Sequence, residues 1–427
     1  MKFDKGNIKN GFLILSWALY DLANQFFALN IVSLYFVRWL TFELKAPEIF
    51  YSIAFSISTF FIAISGPILG AISDLTGRRR VFLVYLTLIS IIFTMVLGLY
   101  KNIFLALLFF VIANFGCQTA VVFYNALIIN ITPQNRVGLI SGFGKMMSYA
   151  GAIIAIYMVK PVVLKSGYQA TFFPTGLLFL IFSLPCMLFI KDKQPLKKLE
   201  LLSFLKKERM REIFKTLKAT LFDAHKFPGL LDFMKSAFFG LCAVNAIVLF
   251  MSVYASRAFG LNETEVINLI MFSTLFAIAG SLFSGFISDY IGYKRCLEAV
   301  FLLWGVCFVA GAFVRNNHWY LLIGALTGIA LGSTWVVSRA MVISIVPQEK
   351  IGEVFGLFNL VGYLSAIVGA IFWGVLLLFL SRFGELGYRI TLLSLILFIL
   401  LGFIFLLRIP DVSSRDKNKI ILWHRKV

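Results

Sequence analysis

The sequence predicts an all-α integral membrane protein with twelve transmembrane helices in two pseudo-symmetric six-helix bundles. Three observations lead there. The 427 residues are 60% hydrophobic and only 14% charged, whereas soluble domains carry about 45–50% apolar and about 25% charged residues. The apolar residues fall into twelve runs, most near the ~20 residues a helix needs to cross a bilayer. A short polar, basic hinge interrupts the runs once in each half, at matched positions.

The first six runs cover residues 11–40, 49–72, 81–99, 103–131, 140–159 and 171–190. The second six cover 233–254, 266–287, 296–314, 319–345, 355–380 and 390–407. At this length the spans are helices, because only a helix satisfies its own backbone in lipid and barrel strands would be about half as long. The organisation expected is therefore a bundle over 1–190, a hydrophilic linker over 191–232, and a bundle with a basic tail over 233–427. The linker mixes Lys206, Lys207, Arg209, Arg211, Lys215 and Lys218 with Leu205, Ile213, Phe214 and Leu217. It reads equally as a basic amphipathic helix on anionic lipid headgroups or as a solvated connector.

The formal net charge of +19 does not point to nucleic acid. The basic residues sit in short stretches between apolar runs, and most fall on the side that carries both termini. By the positive-inside rule that side is cytoplasmic, giving a multi-pass plasma (inner) membrane protein with both ends inside. The expectation is no cofactor and no metal. Cys117, Cys186, Cys242, Cys296 and Cys307 lack ligand spacing, and His225, His318 and His424 lie in loops or the tail. No phosphate-binding loop or nucleophile elbow is present, so neither direct ATP drive nor an enzyme is expected.

The hinge reads Gly70-Ala71-Ile72-Ser73-Asp74-Leu75-Thr76-Gly77-Arg78-Arg79-Arg80. It returns as Gly285-Phe286-Ile287-Ser288-Asp289-Tyr290-Ile291-Gly292-Tyr293-Lys294-Arg295. Gly70 and Gly285 would let helices approach closely, and Gly66 with Gly70 forms a further small-residue pair. Asp74 and Asp289 end a helix, Gly77 and Gly292 permit a tight turn, and Arg78 and Arg295 enter the next span near headgroups. A gating role is expected for these positions, against the plainer reading of a polar turn. A second repeat, Thr132-Pro133-Gln134 and Val346-Pro347-Gln348, recurs at nearly the same offset. Parallel repeats place both copies on one side of the membrane.

Ionisable groups at membrane depth are costly and tend to line a cavity. Asp21, flanked by Tyr20 and Asn24, could accept a proton, pair with a cation or hold an ammonium group; the alternative is a helix-packing bond. Arg339 occupies the position in the second half that Asn125 holds in the first, and could neutralise Asp21 or meet a carboxylate of the cargo. Lys145, matched by Asn359, lies nearer the cytoplasmic end of its span and could snorkel. Gln118, Tyr124, Asn245 and Trp335 are weaker cavity candidates, since a lone polar or Trp residue in a membrane helix more often packs.

The duplicated hinge resembles the signature of the major facilitator superfamily. The segment Ser16-Trp17-Ala18-Leu19-Tyr20-Asp21-Leu22-Ala23-Asn24, together with Tyr124-Asn125-Ala126, Ser338-Arg339-Ala340 and Gly356-Leu357-Phe358, is similar to the branch related to fungal vacuolar amino-acid effluxers. Leu75 and Tyr290 depart from the general hinge, which often has Arg there. The Gly-Pro pattern of many drug–proton antiporters is absent from 141–156. The resemblance implies the major facilitator fold and secondary transport by alternating access, with cargo bound between two bundles. The expected partners are a small, zwitterionic solute such as an amino acid, a proton or other coupling ion, and anionic lipid headgroups; no protein partner is required. Efflux of another metabolite or drug, or a non-transporting sensor or scaffold, are the alternatives.

Overall fold

The structure, a computed structural model, describes residues 5–76, 78–131, 137–192, 227–314, 319–345 and 351–410. Residues 193–226 of the expected linker, Gly77, both Pro-Gln repeats, the three histidines and the tail beyond 410 lie outside the described residues. The long helices are α1 (Lys5–Phe27), α2 (Glu48–Thr76), α3 (Arg79–Val96), α4 (Ile103–Ile131), α5 (Val137–Ser166) and α6 (Phe172–Phe189). They continue as α7 (Leu230–Phe259), α8 (Glu263–Ile291), α9 (Tyr293–Phe313), α10 (Tyr320–Ile345), α11 (Ile351–Leu380) and α12 (Glu385–Leu407). Among the described residues, twelve helical segments are long and apolar enough to cross a membrane. Large apolar side chains stay open on their outer faces: Phe104 is 76% exposed and Phe286 78%. Surfaces of that kind suit lipid.

Most helices outrun the apolar runs that announce them. Helix α5 continues to Ser166, past Pro161, and α7 to Phe259. A helix keeps its own backbone bonded as it leaves the hydrocarbon, so polar residues extend it until a breaker intervenes. Gly260, at φ +68°, ends α7 in the left-handed region. Asn262 then opens α8 with a capping box: its side chain accepts from the Glu265 N–H at 3.0 Å, and the Glu265 carboxylate accepts from the Asn262 N–H at 2.9 Å. Gly292, between α8 and α9, has φ +95°, which L side chains rarely adopt.

The first span is not one regular helix. After α1 the chain takes a π-helical path over Ala28–Leu34, one α-turn over Tyr35–Arg38, and a second π segment over Trp39–Glu43. The i→i+5 register changes which carbonyls the helix satisfies. Here the Val32 carbonyl accepts from the Tyr51 hydroxyl, and the Ser33 carbonyl from Ser252 Oγ at 3.0 Å.

Two compact units make up the chain. Unit 1 comprises Met1–Phe214 with the short pieces Val248–Val253 and Trp373–Leu378; unit 2 comprises Lys215–Ile247, Tyr254–Phe372 and Phe379–Val427. In unit 1, Arg38 is 3% exposed. Its guanidinium donates to the Ser252 carbonyl at 2.7 Å and the Tyr168 hydroxyl at 3.2 Å, and lies over the Phe42 ring.

Each unit fastens an antiparallel helix pair at both ends by the same means. In unit 1, Arg80 at the start of α3 donates to the Met187 carbonyl at 2.6 Å and the Leu188 carbonyl at 3.3 Å, at the end of α6. At the opposite end, Gln169, just before α6, donates to the Gly98 carbonyl at 3.0 Å, just after α3. In unit 2, Lys294 at the start of α9 donates to the Leu407 carbonyl at 3.4 Å, which ends α12. Arg389, early in α12, donates to the Ala312 and Val314 carbonyls at the end of α9, at 2.6 and 2.9 Å. It also reaches the Ala258 carbonyl at 2.8 Å and pairs with Glu385 at 2.7 Å. The last carbonyls of a helix have no partner within it, and its C-terminus favours a cation. Asp192 completes the unit 1 end, accepting from the Arg80 N–H at 2.9 Å. Burial pushes its carboxyl up from the ordinary value, against the opposing pull of Arg80 and Arg79.

Glycines decide where helices meet, though not the ones expected. A Cβ on Gly66 would meet nothing within 4 Å, and on Gly285 only Val336 Cγ1 at 3.8 Å. Neither is a close approach, because neither faces a neighbouring backbone. The tight seam in unit 2 runs between α8 and α10. A Cβ on Gly328 would fall 2.1 Å from the Ser273 carbonyl oxygen, and on Gly332 2.1 Å from that of Ala277. A Cβ on Gly280 would stand 2.6 Å from Ile329 Cα.

Two stability outcomes follow. Gly328→Leu forces α8 and α10 apart and should cost about 1–3 kcal/mol or more, read as a lower thermal midpoint in detergent. Gly285→Ala in the same assay should change little. Arg389→Leu removes the donor that serves the Ala312, Val314 and Ala258 carbonyls and should cost roughly 2–4 kcal/mol. Arg389→Gln should recover part of that loss, since Gln169 does the corresponding work in unit 1. A midpoint for Arg389→Leu equal to that of the parent protein would remove the end clamp from the account.

Candidate functional site

The ionisable centre of unit 1 is built on α1 and α5. Residues one turn apart on α1 share a face, which stacks Trp17, Asp21 and Gln25 above one another. The face of α5 opposite carries small residues. A Cβ on Gly144 would lie 2.7 Å from the Trp17 ring and 3.2 Å from Asp21 Oδ2. One on Gly151 would lie 2.6 Å from the Leu22 carbonyl oxygen. The helices therefore touch through glycine, and polar side chains beside the seam bridge them. Lys145 Nζ stands 3.8 Å from Asp21 Oδ2. Gln25 donates to Ser148 Oγ at 2.7 Å.

The two members of the ion pair differ in freedom. The Asp21 side chain is 8% exposed and that of Lys145 48%. Behind Asp21 sits an aromatic stack. The Trp17 and Tyr124 rings lie parallel at 4.6 Å, and Tyr20 stacks on Tyr124 at 4.9 Å. Trp17 Nε1 donates to the Tyr124 carbonyl at 3.1 Å, and the Tyr20 hydroxyl bonds Thr87 at 2.6 Å. All three rings are buried. Tyr20 and Tyr124 are electrostatic neighbours of the Asp21 carboxylate. Asn24, one position further round, accepts from Cys117 Sγ at 2.8 Å.

The other sequence candidates fall in different settings. Gln118 is half-buried on α4, and Asn125 is exposed on the same helix beside the buried Tyr124. In unit 2, Asn245 donates to Ser365 Oγ at 3.2 Å, a bond between α7 and α11. This matches the Gln25–Ser148 bond between α1 and α5. Trp335 is half-buried on α10 and Arg339 is exposed in the last two turns of that helix. Beside the Asp21 carboxylate, on the same unit, stands Lys145.

The backbone puts Gly70 and Asp74 in the last turns of α2, and Asp289 in the last turn of α8; Arg78 and Arg295 are exposed. Arg79, on the hinge's far side, donates to the Ala126 carbonyl at 3.2 Å.

The sequence reading passed over Arg38, Glu48 and Arg389, all buried. The first two sit near the ends of apolar runs, where a charge reads as interfacial. The small-residue spacing of Gly144, Ser148 and Gly151 was the available sign of the α1–α5 seam. The five cysteines are free and buried. Among the described residues, no group of three or more His, Cys, Asp or Glu could hold a metal ion.

Comparison with known proteins places this arrangement. The sequence profile of the Major Facilitator Superfamily matches residues 22–266 and 233–425. The chain is 24% identical over 428 residues to the uncharacterized MFS-type transporter YxiO of Bacillus subtilis (strain 168), covering 95% of this chain and 96% of that one. It is 28% identical over 160 residues to a Na(+), Li(+), K(+)/H(+) antiporter of Planococcus maritimus, covering 36% of this chain and 37% of the relative. The fold matches the crystal structure of the nucleoside transporter NupG with a TM-score of 0.70 at 15% identity, over 94% of this chain and 99% of the other. With twelve spans and a profile match over nearly its whole length, the chain is a multi-pass membrane protein of the major facilitator superfamily, a secondary transporter of a small solute and not an enzyme.

Proposed function

We propose that this transporter moves an amino acid or similar small zwitterion and couples its movement to a proton through Asp21. The observation that carries the reading is the buried carboxylate of Asp21, held 3.8 Å from a half-exposed lysine and backed by aromatic rings. A charge at that depth is expensive to keep without a use. Asp21 is the group for a proton or for the ammonium end of the cargo. Arg339, exposed in unit 2, is the candidate for the carboxylate end. The resemblance to fungal vacuolar amino-acid effluxers supports the same cargo class.

A second reading has its own support. The Planococcus relative is named for exchange of alkali cations against protons, and a buried acid suits that exchange too. In both readings the cytoplasmic face carries the two termini and the basic linker, which meets anionic headgroups of the plasma membrane. Gly70, Asp74, Gly77 and Arg78, with Gly285, Asp289, Gly292 and Arg295, form the hinges that carry the change of access.

Reconstituted protein separates these readings. With a pH gradient, proteoliposomes should accumulate an amino-acid cargo uphill. Asp21→Asn should abolish gradient-driven accumulation. Undiminished uphill transport by that variant would end the assignment. Arg339→Gln should raise KM for a carboxylate-bearing cargo about tenfold, the loss of ~1.4 kcal/mol, with coupling to the gradient intact. Dissipation of the gradient by sodium or potassium salts, without any amino acid, would favour cation exchange.

A further inference from the structure

We infer that Lys145 is a tethered stand-in for the cargo's ammonium group, which binds Asp21 by displacing it. The inference deepens the reading above and rests on Asp21 being the cation-binding group. Its observations lie within unit 1, on α1 and α5 with supporting contacts from α3 and α4.

The pair is built for exchange. The carboxylate is fixed: Asp21 is nearly enclosed, and the helix that carries it is anchored by Trp17 and Tyr20 on one side and Gln25 on the other. The amine is loose: half of Lys145 is exposed, and its flexible stem reaches an ion pair of 3.8 Å. That is longer than the ~2.7–2.9 Å of a charge-assisted hydrogen bond. Gly144, immediately before Lys145, keeps the approach to the acid clear. A methyl group there would stand 3.2 Å from Asp21 Oδ2.

The chemistry supplies the reason for a lysine. An unpaired carboxylate inside a bilayer is costly, so the empty transporter needs a cation beside Asp21. Lysine provides one of the same kind as the cargo: an alkylammonium with three donors. The acid passes from one ammonium to the other without being left bare. Lys145 then competes with the cargo, and the cargo's apparent affinity is lowered by the fraction of time the lysine occupies the acid. A lysine that held cargo directly would act in the opposite direction.

Binding of radiolabelled methylammonium to the purified full chain in nanodiscs tests this, with the monodispersity of each variant checked first. Lys145→Gln and Lys145→Met should each bind the probe about tenfold more tightly than the parent protein, as removal of a competitor present most of the time requires. Lys145→Arg, whose guanidinium can grip the carboxylate with two bonds, should bind it more weakly. Asp21→Asn should not bind it in any background. Equal or weaker binding by both neutral variants would overturn the inference, as would retained binding by Asp21→Asn. Sodium chloride that displaces the probe as well as unlabelled methylammonium does would overturn the commitment to an ammonium group. Because these are equilibrium measurements, they are separable from proton coupling. Tighter probe binding by both neutral Lys145 variants, with cargo accumulation by the parent protein that ignores the pH gradient, would sink the coupling role while leaving the displacement intact. A probe indifferent to Lys145, with coupling lost in Asp21→Asn, would sink only the displacement.

Discussion

A charge inside a bilayer has no water to turn to, and this structure is shaped by where each such charge finds its partner. Asp21 finds Lys145 across a glycine seam. Arg38 is received by a backbone carbonyl, a tyrosine hydroxyl and an aromatic face. Arg389 is received by three carbonyls and a glutamate. The first pairing joins two side chains and can be exchanged. The arginines are tied to the backbone itself, which no ligand can replace. That difference separates the groups suited to binding from those that hold the helices in place.

The helix ends follow the same constraint. Carbonyls at a helix C-terminus lack partners within the helix, and in a membrane the deficit is severe. The chain answers it twice with one plan. The residue entering α3 serves the end of α6, and the residue before α6 serves the end of α3. The pair α9 and α12 repeats this with Lys294 and Arg389. Arg80 and Lys294 both belong to the basic end of a hinge, one position apart in the repeat, where Lys294 matches Arg79. The basic character of the hinge therefore has a structural task within each unit, beyond any attraction to headgroups. The second unit replaces the neutral Gln169 by an arginine and gains a hold on α7 as well.

Glycine sets helix spacing in both units, and on the matched helices too: a Cβ on Gly369 of α11 would fall 2.2 Å from the Cys242 carbonyl oxygen of α7. Unit 1 uses Gly144 and Gly151 to bring α5 against α1; unit 2 uses Gly280, Gly328 and Gly332 to join α8 and α10. Among the described residues, an ionisable pair stands beside the α1–α5 seam of unit 1. The duplication is thus faithful in its end clamps and in its α1–α5 and α7–α11 amide bonds. It is broken at Asp21 and Lys145, where the two halves part in chemistry.

The sequence alone determined the spans, because a run of apolar residues near bilayer thickness admits one backbone solution, a helix bonded to itself. It also determined the repeat and flagged Asp21, since a carboxylate in such a run stands out against its neighbours. Partners were beyond its reach. Lys145 lies far from Asp21 in the chain, and the contact depends on how α1 and α5 rotate about their axes, which the glycines of α5 settle only once the helices pack. The same holds for Gly66 and Gly285, whose spacing suggested close contact but which face no neighbouring backbone. Arg38 and Arg389 escaped notice because hydropathy locates a charge along a helix and says nothing about which carbonyls lie within reach. Composition sets depth in the membrane; packing alone sets azimuth, and with it every pairing that matters to transport.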